Sequence, residues 1–273
     1  WYLDRLGKTQ IPFYASFDIR DAGFKIGNID GNIFPAGFNN ICQMDKDTSP
    51  ELIESFFKSH FPDAKNVLLL TEDHLKNLYY WENVITLRDL LMEAGHTVIV
   101  GMLGQDIGDG MDITSFSGKE VRVERIHSEG GRLMTKMGIP DLVISNNDFS
   151  NDYGEVDFSK TKMTPFRELG WYQRKKHTYF DHYNHFAGEF AEFIKEDPWL
   201  FQVTTKRFEG FDVGSEGSRK DLGAAVDEMI NDTKKKYEDH GVEAKPNVFV
   251  KNNSGTYGLG IVTASSGEDV VAW

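Results

Sequence analysis

The stretch Asn247–Ser265, NVFVKNNSGTYGLGIVTAS, carries the strongest signal in the 273-residue chain. A β-rich run ends on Lys251, a loop with glycines at 255, 258 and 260 follows, and a second β-rich run leaves it. Glycine lets a backbone bend sharply and come close to a ligand. Successive N–H groups of such a loop form a concavity that suits anions. Ser254 and Thr256 add hydroxyl donors, and Lys251 adds a point charge at a position set by a strand. Together these features match a triphosphate. The P-loop places its lysine after the glycines and then opens a helix, and the dinucleotide fingerprint also opens a helix; here the exit, GIVTAS, reads as a strand. A hairpin covering phosphates is the functional reading, and a glycine-rich hairpin with a solvated lysine is its alternative.

Working back along the chain, NVLLLTE, HTVIVGML, EVRVERI and PDLVISNND read as strands, and NLYYWENVITLRDLLMEAG as an amphipathic helix stopped by Gly95. Continuous apolar strands alternating with a helix predict a mostly parallel sheet covered by helices. Ligands of such sheets bind beyond the carboxyl ends of the strands. NNDFSN therefore falls at a ligand edge, or is a plain Asx-rich turn. SPELIESFFKSHF predicts a short helix with Ser49 as cap and Pro50 in its first turn. Tyr179, Tyr183, Phe186, Phe190 and Phe193 recur at helical spacing and read as core. SRKDLGAAVDEMINDTKKKYEDHG predicts a further helix ended by Gly241. A domain boundary is expected near Thr164–Gly170, giving domains 1–165 and 166–273.

The opening PFYASFDIRDAGFKIGNIDGNIFPAGFNN is dense in Phe, Gly and Asn, a composition of short strands and tight turns. It supplies Asp18, Arg20, Lys25, Asp30, Asn32, Asn39 and Asn40 as candidates for amino-acid recognition. An α-carboxylate suits a bidentate Arg, here Arg20, and an α-ammonium suits a carboxylate, here Asp30 or Asp18. A structural ion pair of Arg20 with Asp18 or Asp21 is the alternative, and for the asparagines, turn formation.

Bulk properties narrow the classes. The formal charge of −13 argues against a broad nucleic-acid surface without excluding local cationic pockets. No apolar run is long enough to span a membrane. The one cysteine, Cys42, permits no internal disulfide and no cysteine zinc site; it reads as a buried small hydrophobe, and a cytoplasmic location is expected. His177, His182 and His185 lack the i, i+4 spacing of a helical zinc site and an evident acidic third ligand, so they are not read as a metal site. Trp1 and Trp273 read as the ends of a piece of a longer protein.

VFVKNNSGTYGLGI resembles the phosphate-covering hairpin of the ATP-grasp superfamily. The opening segment and GWYQRKKHTYF resemble the proteobacterial-type glutamate–cysteine ligase family, and the resemblance extends over essentially the whole chain. It implies a Rossmann-like pre-ATP-grasp domain followed by an incomplete ATP-grasp domain. It also implies an ATP-dependent ligase that joins glutamate and cysteine through a γ-glutamyl phosphate, the first step of glutathione biosynthesis. The rival functions are another ATP-grasp carboxylate–amine ligase and a non-catalytic module that binds an amino acid or nucleotide. Under the resemblance, Lys251 and the loop Ser254, Gly255, Thr256, Tyr257, Gly258 and Gly260 hold ATP. Lys176, with Lys175 as competitor, is the earlier ATP-grasp lysine. The implied partners are small molecules, namely glutamate, cysteine and ATP. Mg²⁺ is implied as well, with its ligands and the adenine site expected beyond residue 273.

Overall fold

The computed structural model describes residues 1–7, 9–104, 107–254 and 260–273. In chain order its elements are α1 (Tyr2–Leu6), β1 (Ser16–Asp21), β2 (Ile26–Asn32), α2 (Gln43–His60), β3 (Asn66–Thr71), α3 (Leu78–Glu93), β4 (Thr97–Met102), β5 (Gly110–Thr114), β6 (Glu120–Arg125), β7 (His127–Glu129), β8 (Arg132–Met134), β9 (Leu142–Asn146), β10 (Met163–Thr164), α4 (Lys176–Ile194), α5 (Glu216–Asp239), β11 (Val248–Lys251), β12 (Ile261–Ala264) and α6 (Gly267–Val271). They form two compact units. One comprises residues 2–18 and 30–173, the other residues 1, 19–29 and 174–273.

The first unit is built on a six-stranded sheet of order β10-β9-β3-β4-β6-β5, parallel throughout except for antiparallel β5 at one edge. Val67–Leu70 of β3 are fully buried, as a strand covered on both faces must be. One face, with Val67, Leu69, Val100 and Ile144, packs on Ile53 and Phe57 of α2 and on Trp81, Val84 and Leu91 of α3. The other face differs from the helical cover expected. Leu68, Leu70 and Val143 are covered by Leu133 of the β7–β8 hairpin and by Phe149 and Tyr153 of an irregular segment. α3 begins where Asn77 Oδ1 accepts the Tyr80 N–H (3.1 Å), and Gly95 (φ +94°) turns the chain out of it.

α2 corrects two sequence expectations. It starts six residues before Ser49, so Pro50 lies inside it and Ser49 is no cap. The hydroxyls of Thr48 and Ser49 bond back to the Met44 and Asp45 carbonyls (3.2 and 2.6 Å) in the turn before the proline. The true cap is Cys42, an exposed rather than buried residue whose sulfur accepts the Asp45 N–H (3.4 Å).

In the second unit, α5 packs Leu222, Val226 and Ile230 against Val248 and Val250 of β11, Ala264 of β12 and Val270 of α6. Gly223 and Gly267 let α5 and α6 touch by backbone: a Cβ at Gly267 would lie 2.5 Å from the Gly223 carbonyl oxygen. The Asp227 carboxylate accepts the Gly267 N–H (2.7 Å). The buried residues of α4 are Phe180, Ala187 and Ala191, not the larger aromatics expected there. Phe186 and Phe193 are exposed. Tyr179 and Tyr183 are half-buried because their hydroxyls are used: both bond Asn28, and Tyr183 also donates to the Phe201 carbonyl (2.7 Å). No helix among the described residues is long and apolar enough to cross a membrane.

Candidate functional site

β11 and β12 pair antiparallel with Lys251 opposite Ile261, as the sequence of the hairpin requires. Strand alternation sends Val248 and Val250 toward α5. Lys251, at the end of β11, is half-buried and donates through Nζ to the Ile29 carbonyl (3.1 Å). The chain then turns: Asn252 Oδ1 accepts the Ser254 N–H (2.9 Å), an Asx turn. Gly255, Thr256, Tyr257 and Gly258 lie outside the described residues. Gly260 (φ +71°) adopts a left-handed conformation that suits glycine where the chain enters β12.

α4 begins against the end of β11. Lys175 is its cap residue but contributes no side-chain cap. The capping acceptors come from 76 residues downstream. The Lys176 N–H donates to the Asn253 carbonyl (2.9 Å) and the His177 N–H to Asn253 Oδ1 (3.0 Å). Lys175 Nζ donates to the Ser254 hydroxyl (2.7 Å). The structure thus joins one end of the Lys251 hairpin to the turn that carries Lys175 and Lys176. Of the three lysines, Lys175 is the one whose ammonium meets the Ser254 hydroxyl, while Lys251 Nζ lies on the Ile29 carbonyl. Asn253 was missed by sequence reading, and no local signal marks it.

The other candidates fall into two groups. Arg20, in the same unit as Lys251, is exposed on β1 and forms no ion pair among the described residues. Lys25 is occupied: Nζ donates to the Gln202 carbonyl (2.8 Å) and sits 4.4 Å from the centre of the Trp199 ring. Burial holds its pKa below the usual lysine value, opposed by Asp197. Asp18, Asp30, Asn32, Asn39 and Asn40 belong to the sheet-bearing unit. Asp18 is exposed. Asp30 accepts the Gly31 N–H (3.0 Å), and Asn32 accepts the Phe34 N–H (2.9 Å) in a turn. Asn39 donates to the Asn40 side chain (3.0 Å).

The carboxyl edge of the parallel sheet is filled by protein. Asn146 Nδ2 donates to the Pro35 carbonyl (2.9 Å) and to the Tyr14 hydroxyl (3.2 Å), and its Oδ1 accepts from Asn83 (2.9 Å). Asn83 Oδ1 in turn accepts the Gly37 and Phe38 N–H groups (2.8 and 3.0 Å). Asn147 donates to the Thr71 carbonyl (3.0 Å) and the Tyr153 hydroxyl (3.1 Å). Burial raises the Tyr14 and Tyr153 phenols above their usual pKa. Here the Asx reading of NNDFSN describes the observed role. Among the described residues, no three His, Cys, Asp or Glu side chains converge to hold a metal ion.

The sequence matches a family model for glutamate–cysteine ligase (GshA) over residues 1–273. No curated protein matches it. Among solved structures, a proposed γ-glutamylcysteine synthetase from Methylobacillus flagellatus superposes with a TM-score of 0.89 at 31% identity. The superposition covers 99% of this chain and 64% of that one, so this chain spans less than two thirds of its structural relative.

Proposed function

We propose, from the premise that the chain belongs to the glutamate–cysteine ligase family, that it forms the glutamate- and phosphate-handling part of an ATP-dependent ligase making γ-glutamylcysteine. The observation that carries this reading is the junction of β11 and α4. It bonds the segment that carries Lys251 and Ser254 to the segment that carries Lys175 and Lys176. In the proposed reaction, a side-chain carboxylate oxygen of glutamate attacks the γ-phosphorus of ATP, and ADP leaves. The amine of cysteine then attacks the acyl carbon of the γ-glutamyl phosphate, the amide bond forms, and inorganic phosphate departs as the amine loses a proton.

The protein's part is positioning and charge neutralisation. Lys251 meets the phosphate oxygens as a point charge at the end of a strand; in the structure its ammonium rests on the Ile29 carbonyl, a neutral acceptor that an anionic oxygen outcompetes. Lys176, with Lys175 beside it, is proposed as the second phosphate-holding lysine. The loop from Ser254 to Gly260 is proposed to cover the phosphates and exclude water, because an acyl phosphate hydrolyses. Arg20 is proposed to hold the glutamate α-carboxylate; Asp18 and Asp30, which belong to the other unit, are separate candidates for an ammonium. Mg²⁺ is proposed to accompany the nucleotide and would supply charge neutralisation there, with its protein ligands expected beyond residue 273. The division into a Rossmann-like part, 1–165, and the first part of an ATP-grasp domain, 166–273, belongs to the same proposal, as does a cytoplasmic location.

The test is phosphate release by the complete ligase with ATP and a panel of acids and amines. Release that requires both glutamate and cysteine, with γ-glutamylcysteine as product, is expected. Release with a different pair identifies another carboxylate–amine ligase. ATP binding without turnover of any pair identifies a binding module.

A further inference from the structure

We infer that Asn253 is a positioning residue that, through His177, holds the Lys251 hairpin in register with the lysines at the start of α4. Asn253 follows Lys251 by two residues and precedes Ser254, so its anchoring sets both. Three bonds reach it from α4: Lys176 N–H to its carbonyl (2.9 Å), His177 N–H to Oδ1 (3.0 Å), and the His177 ring Nδ1 to the same Oδ1 (3.0 Å). A backbone N–H can only donate, so the amide presents oxygen and not nitrogen to His177. The ring nitrogen facing that oxygen must then carry a proton. Nε2 of the neutral ring is left as the acceptor, with the Thr178 hydroxyl at 3.3 Å and an Arg207 guanidinium nitrogen at 3.5 Å. Arg207 is itself held by Glu209 (2.6 Å). The imidazole is thereby oriented from both sides, as a clamp needs to be.

Two consequences follow. The first-turn N–H groups of residues 176 and 177 are spent on Asn253, so α4 offers phosphate its side chains and not these amides. The Lys175 contact to Ser254 (2.7 Å) depends on the same docking, so loss of the clamp displaces Lys251, Ser254 and Lys175 relative to one another.

The inference rests on the phosphate-holding role proposed above, and its test separates the two. In the complete ligase, Asn253→Ala, His177→Ala and the double variant are compared by ATP titration, by steady-state phosphate release and by thermal unfolding. Asn253→Ala is expected to raise the Kd and KM for ATP about tenfold, the value of one to two lost hydrogen bonds, with the glutamate KM unchanged. His177→Ala, the milder variant, is expected to raise them about threefold. The double variant is expected to be no worse than Asn253→Ala, because both act through one contact. Wild-type ATP affinity in Asn253→Ala overturns the inference. So do effects that multiply in the double variant, or a loss that only follows the folded fraction. Should the wild type bind ATP yet form no γ-glutamyl product, the ligase reading falls while the clamp is judged by these affinities; should it not bind ATP, both fall.

Discussion

Two strands end on paired asparagines. β9 runs into Ser145-Asn146-Asn147-Asp148, and β11 into Lys251-Asn252-Asn253-Ser254. The first pair is 1% and 2% exposed, while Asn252 and Ser254 are exposed. In both places the amides bind protein: the first pair ties the opening segment and Thr71 to the sheet edge, and the second ties β11 to α4. Asparagines at a strand's end are therefore structural in both. What separates the two is charge. No lysine or arginine lies within Ser145–Asp148, whereas Lys251 immediately precedes the second pair and Lys175 reaches Ser254. On the proposed reading, the cations held beside the second pair, and not the position of a polar turn at a sheet's carboxyl edge, mark the phosphate site.

The largest expected effect breaks the first pair. Asn146→Ala leaves buried partners on Asn83, Tyr14 and Pro35 without their bonds. It is expected to cost about 3 kcal/mol of stability, at one to three per orphaned group, read as a lowered urea midpoint. Lys251→Ala is expected to reverse the pattern. It should lower kcat/KM for ATP by an amount corresponding to about 1.5–3 kcal/mol and change the unfolding free energy from urea titration by no more than about 1 kcal/mol, the value of its one bond to the Ile29 carbonyl.

The apolar runs made β3, β4 and β9 legible, because a strand covered on both faces has almost no polar residue to hide it, while β6 was legible from its strict alternation of Val121 and Val123 with charged residues. β5 was not legible: GMDIT is a short edge strand with a glycine and an exposed aspartate. The start of α2 was obscured by Pro50, which reads as a first-turn residue, while the actual cap is a cysteine, a type rarely used there. The aromatic period of α4 was visible, but small residues, Ala187 and Ala191, take its buried face. At the candidate site Lys251 and its glycines were legible because they are contiguous. Asn253, the cap of α4, was not, because its partners lie 76 residues away. The Tyr14–Asn146 contact spans 132 residues and was hidden for the same reason.

The smallest effect sharpens the view of the sheet-bearing unit away from both pairs. The ring nitrogens of His96 are buried, and its ring centre lies 3.8 Å from that of Phe57. Burial depresses its pKa below 6.5, opposed first by the Ala64 backbone and then by the Glu54 charge. The unfolded chain then binds more protons than the folded one as pH falls through 6.5. Stability carries no penalty from this group above that pH and a growing one below it, until the folded pKa is reached. Thermal unfolding from pH 7 to pH 5 should show a smaller decline for His96→Phe than for wild type.

The central claim is that phosphate is held where Lys251 and α4 meet and not at the asparagine-rich edge of the parallel sheet. Titration of Mg²⁺–ATP into the complete ligase and its Lys251→Ala and Asn146→Ala variants, below the unfolding range of each, tests it directly. The account predicts ATP affinity reduced at least tenfold in Lys251→Ala, the lower bound for one charge-assisted contact, and wild-type affinity in folded Asn146→Ala. Unchanged affinity in Lys251→Ala, with affinity lost in folded Asn146→Ala, would contradict it.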